Sequence, residues 1–344
     1  MNRSEISRRD LLKSAAALPF AGFAAGARAS EKVLSQNPRT GQGAFQYEVL
    51  HDWLTPPDNI KWGDTHGLAQ DSQGRIYVAH TVHPSSVSTD AVVVFDQEGK
   101  FIKSWGSEFK GGAHGLDIRR EGREEFLYHC DTARRLVVKT TLDGKVVWQV
   151  GAPTEPGVYQ KPEQWCPTNV AFGPNYEVYV GDGYGSSYIH KYDRHGGYLG
   201  LIARPGKEKG QVNCPHGLWV DTRDGTPKLA VCDRSNNRIQ NLTLEGKHID
   251  FVTEGMRAPC HLKFNGDLAL VPDLSSVVTI LDKSNKPVAH LGDGHPTNLR
   301  GVPRSQFIPG KFVHPHTAIW LGKRDILVAE WVPIGRVTRL RWLE

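Results

Sequence analysis

Five histidines stand at one recurring address in this 344-residue chain. His66, His114, His216, His261 and His316 each open a short apolar run, and Thr168 opens the one remaining run of six. Neutral imidazoles converging at roughly 2.0–2.1 Å on one point are what zinc requires, so a repeat that keeps returning histidine to one place points to a metal centre. The structural alternative is a ring of histidines satisfied by backbone carbonyls and water.

A second polar set recurs where each unit's second strand ends: Cys130-Asp131, Asp182-Gly183-Tyr184, Cys232-Asp233-Arg234, Asp273 and Glu330-Trp331. An aspartate there either caps its own turn or supports a metal-binding histidine.

The elements that must position these residues follow from the spacing. From address to address it is 48, 54, 48, 45 and 55 residues. Periods of about 50 residues built from short strands are those of propeller blades. In the second unit the strands are expected at 114–118, 126–131, 136–141 and 146–150, and helical periodicity is nearly absent. Glu98-Gly99, Asp143-Gly144, Gly196-Gly197 and Glu245-Gly246 mark the hairpin before each last strand, where a tight turn needs a positive φ. The predicted fold is all-β: a six-bladed β-propeller of four-stranded antiparallel blades. The sixth unit lacks a fourth strand, and the alternating segment Phe45 to Trp53 is free to complete it, which closes the ring and removes open strand edges.

In such a blade the first strand starts, and the second ends, at one mouth of the central channel. The histidines, the acidic strand ends, Tyr184 and Arg234 therefore converge there. The insertions Gly151 to Trp165 and Gly292 to Val313 reach the same mouth and are expected to wall a ligand, with Trp165, Arg300 and Arg304 placed to touch an anionic or aromatic substrate.

Residues 1–29 read as a twin-arginine signal peptide: Ser7-Arg8-Arg9-Asp10-Leu11-Leu12-Lys13, a broken apolar stretch, then Ala27-Arg28-Ala29. Residues 30–344 are expected to form a single propeller domain, exported by the twin-arginine translocase to the periplasm or beyond. The leader carries +3 of the formal +5, which leaves +2 for the remainder and gives nucleic-acid binding no electrostatic support. No segment is long and apolar enough to span a bilayer. The five cysteines read best as small buried hydrophobes, with a Cys214–Cys260 bridge open.

Three segments carry a family likeness. Gly181-Asp182-Gly183-Tyr184-Gly185-Ser186-Ser187, Pro215-His216-Gly217-Leu218 and Cys232-Asp233-Arg234-Ser235-Asn236-Asn237-Arg238-Ile239-Gln240 resemble the corresponding parts of peptidyl-α-hydroxyglycine α-amidating lyase, a six-bladed propeller enzyme with NHL-type repeats. The likeness covers most of residues 30–344 in layout, and its specific motifs lie in units two to four and at the start of the sixth. The resemblance implies zinc on His114, His216 and His316, a catalytic tyrosine at Tyr184, and a substrate carboxylate held by Arg234. It implies cleavage of a carbinolamide to an amide and glyoxylate. There are departures. Ala79-His80-Thr81 has no arginine where the family carries one, and Thr317 replaces an aspartate that helps hold a structural calcium, which puts calcium in doubt. The family's cysteine pairs are not reproduced, and His66 and His261 are additional, as candidate substrate-binding groups. Two other functions stay open: a different metal-dependent lyase or hydrolase on this scaffold, acting on a sugar acid or lactone, and a non-catalytic NHL-type propeller that binds a protein or peptide.

Overall fold

Runs of β-branched and aromatic residues form the middle strands of each sheet because both of their faces are covered. Ile76–His80 and Val92–Phe95 are buried at every position, whereas the outer strand Val146–Val150 is mostly exposed. The computed structural model describes residues 37–155, 157–295 and 298–344, and residues 37–344 form one compact unit. The expected export leader lies outside the described residues.

Six antiparallel sheets follow one another along the chain. The first runs Thr65–Gln70, Ile76–His80, Val92–Phe95 and Phe101–Trp105, and the second runs Ala113–Glu121, Glu124–Asp131, Leu136–Thr141 and Val146–Val150. The third to fifth repeat the order from Asn169–Phe172, Pro215–Asp221 and Lys263–Asn265 as first strands. The sixth begins at Pro315–Leu321 and is completed from the other end of the chain. Phe45–Leu50 pairs antiparallel with Arg336–Trp342, Tyr47 facing Trp342 and Leu50 facing Arg339. The all-β six-bladed propeller and its closure are as expected.

Two blades exceed four strands. Arg39–Gln42 adds a fifth to the last blade through a two-residue turn at Gly43–Ala44, with Gly43 at φ +57°. Gln211–Val212 pairs in parallel with the end of Tyr198–Pro205 in the third. Both cover otherwise open edges. The four glycine turns foreseen before the last strands are present, with Gly99, Gly144, Gly196 and Gly246 at φ +84° to +89°.

Six apolar clusters hold the ring together, one at each blade interface. Leu68, Val78 and Phe95 of the first blade meet Ile319, Leu327 and Val337 of the last, which is the interface that shuts the circle. Burial of Leu, Ile, Val and Phe at this scale contributes roughly 1.5–3 kcal/mol per side chain.

Three buried histidines away from the channel make the fold acid-sensitive. His129 is stacked on Phe109 at 4.6 Å, His190 meets the Tyr159 hydroxyl at 2.8 Å, and His80 accepts the Gly63 and Val82 amides. Burial lowers their pKa to about 3, 4 and 4. Unfolding returns each to about 6.5. The stabilisation is therefore whole above pH 6.5 and is lost as pH falls from there toward 3–4. Urea midpoints should be flat between pH 7 and 8.5 and decline steadily below pH 6, by several kcal/mol in sum at pH 4.5, on the order of the whole margin of an average domain.

Candidate metal centre

Four of the five address histidines meet on the channel axis. Ring centroids of His66, His114 and His316 lie 4.5–4.7 Å apart, and His216 stands 5.0 Å from His114 and 4.8 Å from His316. The backbone aims them. In each of these four blades the pairing of first and second strands slips at the histidine, between Thr65 and Gly67, Ala113 and Leu116, Pro215 and Leu218, and Pro315 and Thr317. A bulge re-aims the side chain of the residue it frees. In the fifth blade the first strand begins only at Lys263, and His261 is kept out of the cluster, with Nε2 3.5 Å from Asp117 beside Lys263. Thr168 is committed too, its hydroxyl lying 3.2 Å from the carbonyls of Gly181 and Pro215.

The imidazoles of alternate blades are locked alike. Nδ1 of His114 donates to the Thr168 carbonyl at 2.9 Å, Nδ1 of His216 to Cys260 at 2.8 Å, and Nδ1 of His316 to His66 at 3.1 Å. A carbonyl only accepts, so each Nδ1 carries the hydrogen and each Nε2 a lone pair. In two cases glycine allows the carbonyl its approach. A Cβ on Gly115 would sit 2.3 Å from the Thr168 oxygen, and one on Gly217 2.4 Å from the Cys260 oxygen. Gly217→Ala is expected to push that carbonyl away and free the His216 ring. Metal affinity should fall by roughly 10–100-fold, read by competition with a chromogenic chelator, while circular dichroism at 25 °C stays that of a folded β-protein.

Among the described residues no carbonyl locks His66; its Nδ1 lies 3.3 Å from Nε2 of His316. Burial holds all four rings neutral, most strongly for His66, His216 and His316, and it lowers His114 to about 3. Neutral is the metal-binding form.

Tyr184 leans over the cluster from the loop that ends the second strand of the third blade. Its hydroxyl is 3.2 Å from Nε2 of His114 and 3.0 Å from Nε2 of His216, and its side is open, with the residue 43 % exposed. Burial of the hydroxyl end raises its pKa to about 12, opposed by the Arg234 charge. Arg234 lies over the Tyr184 ring at 5.2 Å, with Nη1 3.8 Å from the Cys260 sulfur and the Cys214 thiol also beside it; among the described residues no carboxylate is hydrogen-bonded to its side chain.

These contacts test whether the residues fit a cation. Nε2 of His114 and Nε2 of His216 share the Tyr184 hydroxyl and Nε2 of His316 faces Nδ1 of His66, so two hydrogens serve three lone pairs. A buried acceptor is left short, a deficit that a Lewis acid removes. Donor atoms within 4.8 Å of one another form two sets that share His316: His66, His114 and His316, and His216, Cys260 and His316; among the described residues the three carbonyl-locked rings do not by themselves form such a set. The residues fit a divalent metal.

The acidic strand ends act on the backbone. Asp182 accepts the Cys166 amide, Asp233 that of Asn213, Asp273 those of Arg257 and Ala258, and Glu330 that of Val313. Each thereby pins the loop that enters its blade's first strand, and so indirectly the address residue. The insertions divide in role. Trp165 is fully buried against Tyr128, Cys130 and Val170, so it is core and does not face a substrate, contrary to expectation. The apolar demand of the interface between the second and third blades outweighs its loop position. Arg300 does reach the mouth, where it grips both Asp64 oxygens at 2.9 Å and stacks on Trp331 at 3.9 Å; Arg304 pairs with Asp52. Cys260, expected as a small buried hydrophobe with a bridge to Cys214 open, is buried and unbridged and lies in a donor set with His216 and His316. All five cysteines are free and buried.

No family model matches the chain. Its sequence is 28% identical over 158 residues to a probable peptidyl-α-hydroxyglycine α-amidating lyase of Caenorhabditis elegans, covering 45% of this chain and 43% of that one. It is 26% identical over 298 residues to lyase 2 of that name from Drosophila melanogaster, covering 78% and 68%, and 26% over 349 residues to lyase 1, covering 87% and 61%. The chain is thus a distant homologue of amidating lyases, matching between 43% and 68% of their length. In fold it resembles a gluconolactonase from Xanthomonas campestris, with a TM-score of 0.61 at 12% identity over 88% of this chain and 95% of that one. A Bacteroides thetaiotaomicron protein of unknown function gives 0.61 at 10%, over 86% and 76%. Among the described residues no helix is long and apolar enough to cross a membrane.

Proposed function

We propose that the chain is a zinc-dependent carbon–nitrogen lyase that cleaves a carbinolamide to an amide and glyoxylate, with His114, His216 and His316 as the zinc ligands. The observation that carries this reading is the shared lock: three rings from alternate blades, each with Nδ1 on a backbone carbonyl and Nε2 turned to the axis. Fixing the far nitrogen in this way orients a ligand and raises its basicity. Distant homology to amidating lyases supports the choice of reaction.

Zinc held there supplies a Lewis acid toward a substrate hydroxyl. The remaining work belongs to the chain. Arg234, with no carboxylate among its partners, binds an anionic substrate group with its planar fork and orients the bond to be broken. Tyr184 keeps its proton while it serves two imidazole acceptors. With those lone pairs engaged elsewhere, the Tyr184 phenol would give up its own proton to solvent, helped by the Arg234 charge beside it, and the phenolate so formed would take the substrate hydroxyl proton and hand it on. His66 lines the same space, its ring against those of His114 and His316.

We further assign the protein to the periplasm or the exterior, exported through the twin-arginine translocase, on the strength of the leader pattern. Two measurements on gently purified protein test the enzyme reading: metal analysis, expected to give about one zinc per chain, and glyoxylate release from an α-hydroxyglycine peptide. Zinc without glyoxylate redirects the site to another metal-dependent lyase or hydrolase. Absence of metal leaves a propeller that binds a protein or peptide.

A further inference from the structure

We infer that Cys260 is a thiolate ligand of the channel cation, so that the centre offers sulfur as well as nitrogen and takes a thiophilic divalent metal. The inference rests on the reading of the ring as a metal centre and adds a donor to it. Cys260 is 1 % exposed, and its sulfur lies within 4.8 Å of a ring nitrogen of each of His216 and His316. Its backbone is held at the ring, because its own carbonyl accepts Nδ1 of His216 at 2.8 Å. One residue therefore anchors a ligand histidine through its oxygen and presents sulfur to the same point.

Nη1 of Arg234 lies 3.8 Å from the sulfur, while burial raises the thiol's pKa, so the sulfur keeps its hydrogen until a cation displaces it. The contact left to the S–H hydrogen is a long one, 3.6 Å to the Ala258 carbonyl. On coordination that hydrogen leaves to solvent as a proton and a sulfur–metal bond takes its place, with no change of oxidation state. The sulfur is free for this, since no disulfide engages it. A mixed nitrogen and sulfur set favours zinc or cobalt over magnesium, calcium or manganese, which take oxygen. Coordination would also bring Arg234, which touches Cys260 and Tyr184 together, against the reacting centre.

Cobalt(II) titration of the metal-free full-length protein, followed by absorption, reads the ligand directly. Visible ligand-field bands report cobalt in the site, and a near-ultraviolet charge-transfer band reports a cobalt–thiolate bond. The expected result is both bands in the native protein. In Cys260→Ala and Cys260→Ser the visible bands persist, the charge-transfer band is lost, and cobalt affinity is lower by at least the roughly 10–100-fold that loss of a supporting group costs. Visible bands without charge transfer in the native protein would overturn the thiolate and leave the histidine centre standing. A charge-transfer band that survives Cys260→Ala would assign the sulfur elsewhere and overturn it equally. No cobalt spectrum at all would remove the metal centre itself, and this inference with it.

Discussion

Replacing His216 by alanine should leave the protein folded and strip it of metal. Apparent zinc binding in closed protein sites is roughly 10–16 kcal/mol. One of three locked imidazoles therefore carries on the order of 4 kcal/mol, or about a thousandfold in affinity. The same loss is expected for His114→Ala and His316→Ala, because all three rings are held by a carbonyl at Nδ1. His66→Ala is the discriminating control. Its ring touches His114 and His316 but has no such lock, so zinc content should stay near one per chain with affinity within about tenfold. Thermal melts give an independent reading. Zinc at about 1,000 times its Kd stabilises a binder by roughly 4 kcal/mol, so native protein and His66→Ala should melt higher with zinc while the other three variants do not respond. Four variants that all keep their zinc response would mean that the ring is structural, and four that all lose it would make His66 a ligand through the set it forms with His114 and His316.

The second large effect is expected at the seam. Arg336 and Glu330 are 2 % and 0 % exposed, in the third and second strands of the sixth blade. Nε and Nη2 of Arg336 donate to the two Glu330 oxygens at 2.5 and 2.9 Å, and Nη2 also reaches the Lys311 carbonyl at 2.8 Å. The Thr65 hydroxyl of the first blade sits between the Glu330 and Arg336 backbones, tying first blade to last. A buried pair adds little net stability, yet stranding one partner is severe. Arg336→Met should therefore cost roughly 3–5 kcal/mol, seen as a lower urea midpoint. The double variant Arg336→Met with Glu330→Gln should recover most of the loss, since it strands no charge. An equally unstable double variant would place the cost in the seam's shape instead of its electrostatics.

Much of the fold was legible because the propeller writes itself as period. Alternating strands, glycine turns and six equivalent openings are local properties, so the blades of residues 45–342 and the pairing of Phe45–Leu50 with Arg336–Trp342 could be foreseen. The edge strand Arg39–Gln42 was missed, since four residues without a large apolar side chain, three of them exposed, have no signal of their own until a neighbouring edge needs covering. Trp165 was misread for a related reason. A tryptophan in a loop looks available, and only packing against the next blade makes it core.

By itself, the sequence determined that imidazoles, a phenol and a guanidinium would gather at one mouth, because a closed ring of equal repeats brings equal positions together. It could not say which of them would touch. His261 and His216 occupy the same address, yet a bulge at Pro215–Leu218 turns one to the axis, and the late start of the fifth blade leaves the other on Asp117. The tertiary structure also decided that Cys260 should face the ring and that Arg234 should lie between its sulfur and Tyr184. Side-chain direction depends on how a strand pairs with its neighbour and on which carbonyl the next blade offers, and both are settled between segments some fifty residues apart.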